Sequence, residues 1–349
     1  MTTESRVFVG AGAFTAGTLS GLFRRVGDGG WEQLIRGLPD PVQVMAITVH
    51  PHEPRTVYIG TQDGPYRSTD GGDRWQRLAF PESGGQVWSI LVHPADARRL
   101  YAGTSPVGVF GSDDGGDTWR RLPNAVQPER VKMPFACRVM RMAVDPARPE
   151  SLWAGLEVAG VMRSEDGGAT WTDCSADLVK LAELPHLKSR IVSDTDIEGM
   201  LDVHALGISA AQPGTVFLAL RMGLFRSTDG GRSWEDMEVG RFSPLTYGRD
   251  LRVSPHDPRT LYACLSPAAR SEDGSMYVSR DLGQTWSRFD RGVKAESTMM
   301  ALALDPRDPD RAYCVSRTGQ VFGTEDGGRG WREDRLPAGV ADVYAVACA

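Results

Sequence analysis

One eight-residue pattern recurs along the whole chain: a hydroxyl residue, then Asp-Gly-Gly, and a closing Trp. Full copies are STDGGDRW (68–75), SDDGGDTW (112–119), SEDGGATW (164–171), STDGGRSW (227–234), SRDLGQTW (279–286) and TEDGGRGW (324–331), and a shortened VGDGGW ends at Trp31. Successive tryptophans lie 44, 44, 52, 63, 52 and 45 residues apart. A period of a few tens of residues is typical of solenoids and propellers. The chain therefore contains seven similar units, and the longer intervals contain insertions.

The segments between the copies predict the strands of each unit. AITVHPHEPRTVYIGT from Ala46 and DLRVSPHDPRTLYACL from Asp250 each give an apolar strand A, a Pro-containing turn and an alternating strand B. Strand C has an apolar-aromatic pattern such as GLFRS at 223–227, and strand D begins at the Trp. Four antiparallel strands at this period form a propeller blade. The sequence therefore predicts an all-β, seven-bladed propeller.

The two ends of the chain predict how the ring closes. The first unit starts at strand B with RVFVGAG from Arg6 and has no strand A, whereas DVYAVACA from Asp342 aligns with the A strands. We expect this last strand to complete the first blade. Length alone would also allow two domains, but the continuous repeat predicts one propeller over residues 1–349.

The repeated Asp-Gly-Gly turn is interpreted as a structural lock rather than a site. Asp accepts bonds from nearby backbone N–H groups, Gly permits positive φ, and the Trp anchors the hairpin. The seven carboxylates are Asp28, Asp70, Asp114, Asp166, Asp229, Asp281 and Asp326. Turn caps are likewise predicted at the residues before the proline that ends strand A, namely His50, His93, Asp145, Ser254 and Asp305.

Charge and motif content exclude several classes of function. The net charge is −6 and no Lys/Arg run occurs, which argues against nucleic acid. No apolar stretch approaches the ~18 residues needed to span a bilayer. With no secretion signal and five cysteines without paired spacing, we expect a cytoplasmic protein with reduced thiols. Pairing His50 with His52 as a metal site conflicts with the repeat register, so neither a metal nor a cofactor is expected.

Residues that depart from the repeat are the candidates for function. The D-to-A and B-to-C connections share one face, here called the mouth face, where propellers usually bind ligands. Eight residues before the proline that ends strand A, or before the aligned position in the two units without that proline, stand Gln43, Gln86, Arg138, Asp202, Tyr247, Thr298 and, by extension, Asp342. Six before it stand Met45, Trp88, Met140, His204, Arg249, Met300 and Tyr344. Such variety at equivalent positions predicts a lined pocket.

The B-to-C connections add further polar side chains, including several arginines suited to carboxylate, sulfate or phosphate groups. The predicted catalytic residues are Glu157, Asp202 and His204. The predicted substrate-binding residues are Trp88, Arg138, Arg141, Arg221, Tyr247, Arg249, Arg270 and Arg317. The alternative is that these groups form salt bridges between blades and fill the channel.

The longest D-to-A connection runs from Asp173 to Asp202 and contains SADLVKLAELP. This segment predicts a short helix capped by Ser175 and ended by Pro185. Because the connection belongs to the mouth face, we expect 173–202 to form a lid.

With these motifs the chain resembles the Asp-box (BNR) propeller superfamily, which includes sialidases, tandem-propeller xyloglucanases, the sortilin luminal domain and photosystem II assembly propellers. The resemblance implies that the Asp boxes lie opposite the active site. The resemblance does not include the detailed features of the known catalysts. Sialidases have six blades and an Arg-Ile-Pro signature, where this chain has Arg24-Arg25-Val26, and xyloglucanases cleave between two propellers.

Two functions therefore stay open. The first is an enzyme acting on a small anionic or sugar-like molecule, a glycosidase-like hydrolase that is neither a standard sialidase nor a standard xyloglucanase. The second is a non-catalytic ligand-binding or assembly-scaffold propeller. An enzyme predicts a closed pocket that gathers Glu157, Asp202 and His204, whereas a scaffold predicts an open charged face.

Overall fold

The computed structural model describes residues 5–82, 84–188 and 199–349. Seven antiparallel sheets of four strands make up this part of the chain and confirm the seven-bladed propeller. Blade 1 contains β1 (Arg6–Ala11), β2 (Gly21–Val26), β3 (Glu32–Leu34) and β28 (Val343–Cys348). Blade 2 contains β4 (Val44–Val49), β5 (Val57–Thr61), β6 (Gly64–Ser68) and β7 (Gln76–Arg77). Blade 3 contains β8 (Gln86–His93), β9 (Asp96–Ser105), β10 (Val109–Ser112) and β11 (Arg120–Arg121).

The other four blades repeat this order. Blade 4 contains β12 (Val139–Asp145), β13 (Arg148–Leu156), β14 (Gly160–Ser164) and β15 (Thr172–Asp173). Blade 5 contains β16 (Val203–Ile208), β17 (Val216–Leu220), β18 (Gly223–Ser227) and β19 (Glu235–Asp236). Blade 6 contains β20 (Tyr247–Val253), β21 (Leu261–Ser266), β22 (Ser275–Ser279) and β23 (Ser287–Arg288). Blade 7 contains β24 (Met299–Leu304), β25 (Ala312–Ser316), β26 (Gln320–Thr324) and β27 (Arg332–Arg335).

The last strand closes the ring as the sequence predicts. β28 pairs antiparallel with β1, with Val9 opposite Val346 and Val7 opposite Cys348. This places the C-terminal strand innermost in a blade whose other three strands come from the N-terminal end. Closure of this kind gives the first blade its fourth strand and joins the two ends of the chain in one sheet.

The hydrophobic core lies between neighbouring blades rather than at the centre of the ring. The cluster around the fully buried Trp153 of blade 4, for example, includes Val203, Leu218 and Phe225 of blade 5. Both faces of each sheet pack against a neighbour, which explains why the inner strands are apolar almost throughout. The channel along the axis is therefore lined by the innermost strands of the blades.

The Asp boxes act as turn locks in the six full copies. In the copy at 227–234, the backbone N–H groups of Arg232 and Ser233 donate to Asp229 Oδ1 at 3.0 Å, and Ser227 Oγ accepts from Gly231 N at 2.8 Å. The Ser233 hydroxyl and these N–H groups lower the pKa of Asp229 to about 2. The shortened copy differs, because Asp28 instead pairs with Arg332 at 2.9 Å. The turn-cap prediction is confirmed in the same way, for example at His50, whose Nδ1 accepts from Glu53 N at 3.0 Å.

The lock makes a sharp prediction at Gly231, which has φ +84° and whose Cβ substituent would lie 2.9 Å from Trp153 and Cys174. We expect Gly231→Ala to lower the free energy of unfolding by about 2–4 kcal/mol, because backbone strain and overpacking add. Urea unfolding measures the loss. Gly240→Ala is the matched control, since a Cβ there meets nothing within 4 Å, and an equal loss in both variants would contradict the argument.

Three short helices are found among the described residues: α1 (Ala176–Ala182), α2 (Pro185–Lys188) and the 3-10 helix Val239–Arg241. The helix predicted after Ser175 is present, but two details were wrong. The Ser175 hydroxyl makes no capping bond and pairs with the backbone of Val161 instead, and Pro185 begins α2, as a proline in a first turn can. No helix in this part of the chain is long and apolar enough to cross a membrane.

Helices α1 and α2 are both attached to blade 5. Asp177 accepts a bond from Trp234 N at 2.9 Å, and Leu178 and Leu187 are buried in the core between blades 4 and 5. Residues 189–198 of the 173–202 connection lie outside the described residues. The lid therefore stays a prediction.

Candidate functional site

All seven innermost strands carry a β-bulge at the same position, and the bulged residue faces the channel. In β20, for example, Gly248 pairs with Leu265 and Asp250 with Cys264, so that Arg249 has no partner in the ladder. The seven bulged residues, here called the channel ring, are Met45, Trp88, Met140, His204, Arg249, Met300 and Tyr344. They line one cavity of about 30 Å³. A bulge redirects a side chain without ending the sheet, which is how one repeat position supplies a complete ring.

On one side of the channel ring a buried carboxylate, imidazole and phenol form a chain. His204 Nδ1 lies 2.7 Å from the carbonyl oxygen of Gly248, and Nε2 lies 2.9 Å from Tyr247 Oη and 3.3 Å from Asp202 Oδ2. A carbonyl can only accept, so Nδ1 carries a proton. Nε2 then either accepts from Tyr247 or, in the imidazolium, donates to it or to Asp202. The arrangement couples a proton on His204 to the charge of Asp202.

Glu157 lies beside this chain and is paired with Arg138. Arg138 Nε donates to Glu157 Oε2 at 2.6 Å, and its guanidinium stacks 3.9 Å from the centre of the Trp88 ring. Burial, together with the nearby charge of Asp202, raises the pKa of Glu157 to about 7 against the lowering effect of Arg138. Glu157 therefore keeps its proton to a higher pH than an ordinary glutamic acid does.

The two predicted carboxyl groups belong to one site. The backbone N–H of Val158, next to Glu157, points to Asp202 Oδ1 at 3.4 Å. Burial acts to raise the pKa of Asp202, but His204 and Arg249 outweigh it, and the pKa of Asp202 is lowered. Val158 itself has φ +61°, a strained backbone for a β-branched residue. The site thus holds adjacent carboxyl groups whose pKa values move in opposite directions.

Two further arginines belong to this side of the ring. Arg249 lowers the pKa of both Glu157 and Asp202 through its charge. Within residues 5–82, 84–188 and 199–349 its guanidinium makes no hydrogen bond and no ion pair. Arg221 is buried, and its backbone N–H donates to Asp202 O at 3.2 Å.

The structure does not bring every predicted site residue together. Arg317 lies across the ring in blade 7, where it pairs at 2.5 Å with Asp342, the residue directly before the closing strand β28. Arg270 is exposed in the B-to-C connection of blade 6. Arg141 lines the channel and faces Asp250, with Nη2 at 3.5 Å from Oδ1. Arg317 thus joins two blades, which is the salt-bridge role that the sequence left open as the alternative.

An aromatic cluster at the mouth was missed by the sequence analysis. Phe14, in the connection between β1 and β2, lies 5.7 Å from the Trp88 ring and 5.3 Å from the Tyr344 ring, and these two rings lie 5.6 Å apart. Phe14 keeps 43% of its surface exposed. Trp88 and Tyr344 occupy ring positions, but Phe14 belongs to no repeat position, so nothing in the periodic pattern points to it.

Among the residues described, no group of three or more His, Cys, Asp and Glu side chains is placed to hold a metal ion. The polar groups gathered at the mouth are carboxyl, imidazole, phenol and guanidinium groups. Such groups support proton transfer and anion binding.

Comparison with known proteins agrees with the repeat. Residues 277–288 match the family model of the BNR/Asp-box repeat. The chain is therefore a seven-bladed propeller that carries the BNR/Asp-box repeat. Over 238 residues this BNR-type propeller is 27% identical to a probable oligoxyloglucan-reducing end-specific xyloglucanase of Neosartorya fischeri, a match covering 55% of the chain and 26% of that relative. The chain therefore spans about a quarter of the length of the relative.

Solved structures show the same fold for this BNR-type propeller. An ancestral GH74 enzyme superposes with a TM-score of 0.61 at 17% identity, covering 91% of this chain and 39% of that one. YCF48 from Cyanidioschyzon merolae superposes with a TM-score of 0.58 at 14% identity, covering 88% of each chain. At such identities the likeness concerns the fold alone.

Proposed function

We propose that the mouth is an active site of the glycoside-hydrolase type, acting on a small sugar-like or anionic molecule, with Glu157 as the general acid. The observation that carries the proposal is two carboxyl groups brought together in different surroundings. Asp202 lies 3.3 Å from His204 Nε2 and its Oδ1 faces the backbone N–H next to Glu157, and the pKa of Asp202 is lowered while burial raises that of Glu157. Carboxyl groups separated in this way divide into an acid and a base or nucleophile. The xyloglucanase relative gives independent support for a glycosidase-like reaction.

In the proposed reaction, Glu157 donates its proton to the oxygen of the scissile glycosidic bond as that bond breaks. Asp202, held ionised by His204, either attacks the anomeric carbon or takes the proton from a water that attacks it. In the first case water later releases the sugar from Asp202, with Glu157 as the base. In both cases one water is consumed, and His204 and Tyr247 act as positioning residues for Asp202.

The geometry restricts where the substrate can lie. A cavity of about 30 Å³ holds about two waters, so a sugar ring cannot enter the channel and must rest on the mouth. The exposed ring of Phe14 offers an apolar face there, and aromatic faces suit the C–H side of a sugar. Arg249, which is free of ion pairs with described residues, would bind an anionic substituent.

The pH dependence of turnover tests the proposal. With a panel of aryl glycosides and xyloglucan oligosaccharides, including uronic acids, we expect kcat/KM to fall as pH rises through about 7, because Glu157 loses its proton. It should also fall at acid pH, below the usual titration range of an aspartic acid, as Asp202 is protonated. Arg138→Met removes a cation that lowers the pKa of Glu157, so it should move the basic limb to higher pH.

Glu272→Gln, at an exposed position of the same face, should leave both limbs in place. A basic limb that does not move in Arg138→Met would contradict the assignment of the acid. Absence of turnover across the panel would favour the second function, a ligand-binding propeller. The observation in favour of that function is the direct Arg138–Glu157 pair at 2.6 Å, which a purely structural role also explains.

A further inference from the structure

A group of arginines lines the interior of the channel, inside the mouth. Arg141, Arg249 and Arg252 reach the same 30 Å³ cavity from blades 4 and 6. The carboxylate that faces them is Asp250, which is fully buried. Its Oδ2 lies 3.1 Å from Arg252 Nε, and its Oδ1 lies 3.5 Å from Arg141 Nη2.

Asp250 has little capacity left to compensate further cations. Besides the two arginines, it accepts backbone bonds from Leu251 at 2.9 Å and from Leu302 of blade 7 at 3.0 Å. Arg141 Nε is buried and has no hydrogen-bond partner among the described residues. The guanidinium of Arg249 has neither a hydrogen bond nor an ion pair with the described residues.

The charged groups around the cavity sum to a net positive charge. Four guanidinium groups, Arg138, Arg141, Arg249 and Arg252, meet three carboxyl groups, Glu157, Asp202 and Asp250, among the described residues. One positive charge remains even when all three carboxyls are ionised, and two remain when Glu157 is protonated. Burial and the neighbouring Arg252 lower the pKa of Arg141 to about 10, so it still carries its charge at neutral pH.

Most of the remaining wall of the cavity is apolar, with Met45, Met140 and Met300 among its residues. Water can satisfy N–H donors in such a space, but it cannot neutralise a charge, and a half-buried charge without a counter-ion is costly. The volume of about 30 Å³ accommodates about two waters. A monatomic anion fits this space, and a sugar phosphate does not.

We propose that the channel binds one small monovalent anion of the halide type, chloride in practice, between Arg141, Arg249 and Arg252. The anion compensates the surplus charge and joins blades 4 and 6 across the channel. This inference goes beyond the proposed function, because it concerns the channel interior and requires no reaction. Its test therefore measures thermal stability and occupancy of the channel by an anion, rather than turnover.

The experiment compares anions at constant ionic strength. The full chain is melted in sodium gluconate, whose anion is too large for the cavity, and gluconate is replaced stepwise by chloride or bromide. We expect a saturable rise in Tm with both halides, of about 3 °C at ~20 times Kd. A crystal grown in bromide should show an anomalous peak within hydrogen-bonding distance of Arg249.

Variants separate the site from general salt effects. Arg249→Met should abolish the halide-dependent rise, whereas Arg270→Met, at an exposed arginine of the mouth face, should keep it. If Arg249→Met does not fold, Arg141→Met serves instead, and the bromide crystal needs no variant. Equal Tm values in gluconate and chloride, or a channel that contains only water in the bromide crystal, would overturn the proposal.

Discussion

Replacing Glu157 by glutamine is expected to lower kcat/KM by about 10²–10⁴-fold, the usual contribution of a general acid. Glutamine has nearly the same shape and can still accept the bond from Arg138, which Glu157 receives at 2.6 Å, but it has no proton to give. The loss should lie in kcat rather than KM, because the proton is transferred only in the transition state. Steady-state kinetics on the best substrate of the panel measures it.

The leaving group distinguishes an acid from a structural residue. Nitrophenolate leaves as a stable anion without protonation, so Glu157→Gln should lose far less rate on a nitrophenyl glycoside than on an alkyl glycoside or an oligosaccharide. Damage to the fold would reduce both rates equally. Glu272→Gln is the matched control, a glutamate at an exposed position of the same face, and an equal loss in the two variants would exclude Glu157 as the acid.

The repeat made most of the fold predictable from the sequence. The Trp spacing counts the blades, and the missing strand A at the N-terminal end predicts the pairing of Val9 with Val346. Aligning the seven units on the proline that ends strand A also placed the residues of the channel ring at equivalent positions. These inferences succeed because the same local pattern occurs seven times, so that an altered copy is identified by comparison with the others.

The site was less predictable because it depends on what is not repeated. Neither the bulge at every ring position nor the closeness of Glu157 to Asp202 follows from spacing. Phe14 belongs to a connection without a repeat register, and it meets Trp88 and Tyr344 only through the folding of that connection. Arg317 resembles a ligand-binding arginine in sequence, but its carboxylate partner Asp342 directly precedes the closing strand at the other end of the repeat.

The comparison among blades also identifies Asp250 as an exception that the fold does not require. At the position directly after the bulge, most blades have a small residue, and these are Ala46, Ser89, Ala205, Ala301 and Ala345. Alanine therefore fits this position sterically. Any loss of stability in Asp250→Ala must arise mainly from charge and hydrogen bonding rather than from packing.

We expect Asp250→Ala to lower the free energy of unfolding by about 3 kcal/mol, the lower end of the cost of breaking a buried ion pair. The lower end applies because Arg141 and Arg252 keep 29% and 32% of their side-chain surface accessible. Urea unfolding measures the loss. Adding Arg141→Ala, which gives blade 4 the small residue found in most other blades, should recover part of it, so the double variant loses less than the sum of the single ones.

The chloride dependence of the stability of Asp250→Ala tests whether Asp250 is a counter-charge in the channel. Without Asp250 the surplus positive charge increases by one, so the stabilisation of Asp250→Ala by chloride over gluconate should exceed that of the unmodified chain. A loss below about 1 kcal/mol, the level of an exposed pair, would show that Asp250 is not the main counter-charge. Additive losses in the double variant would show that Arg141 and Asp250 do not interact across the channel, whatever their 3.5 Å approach suggests.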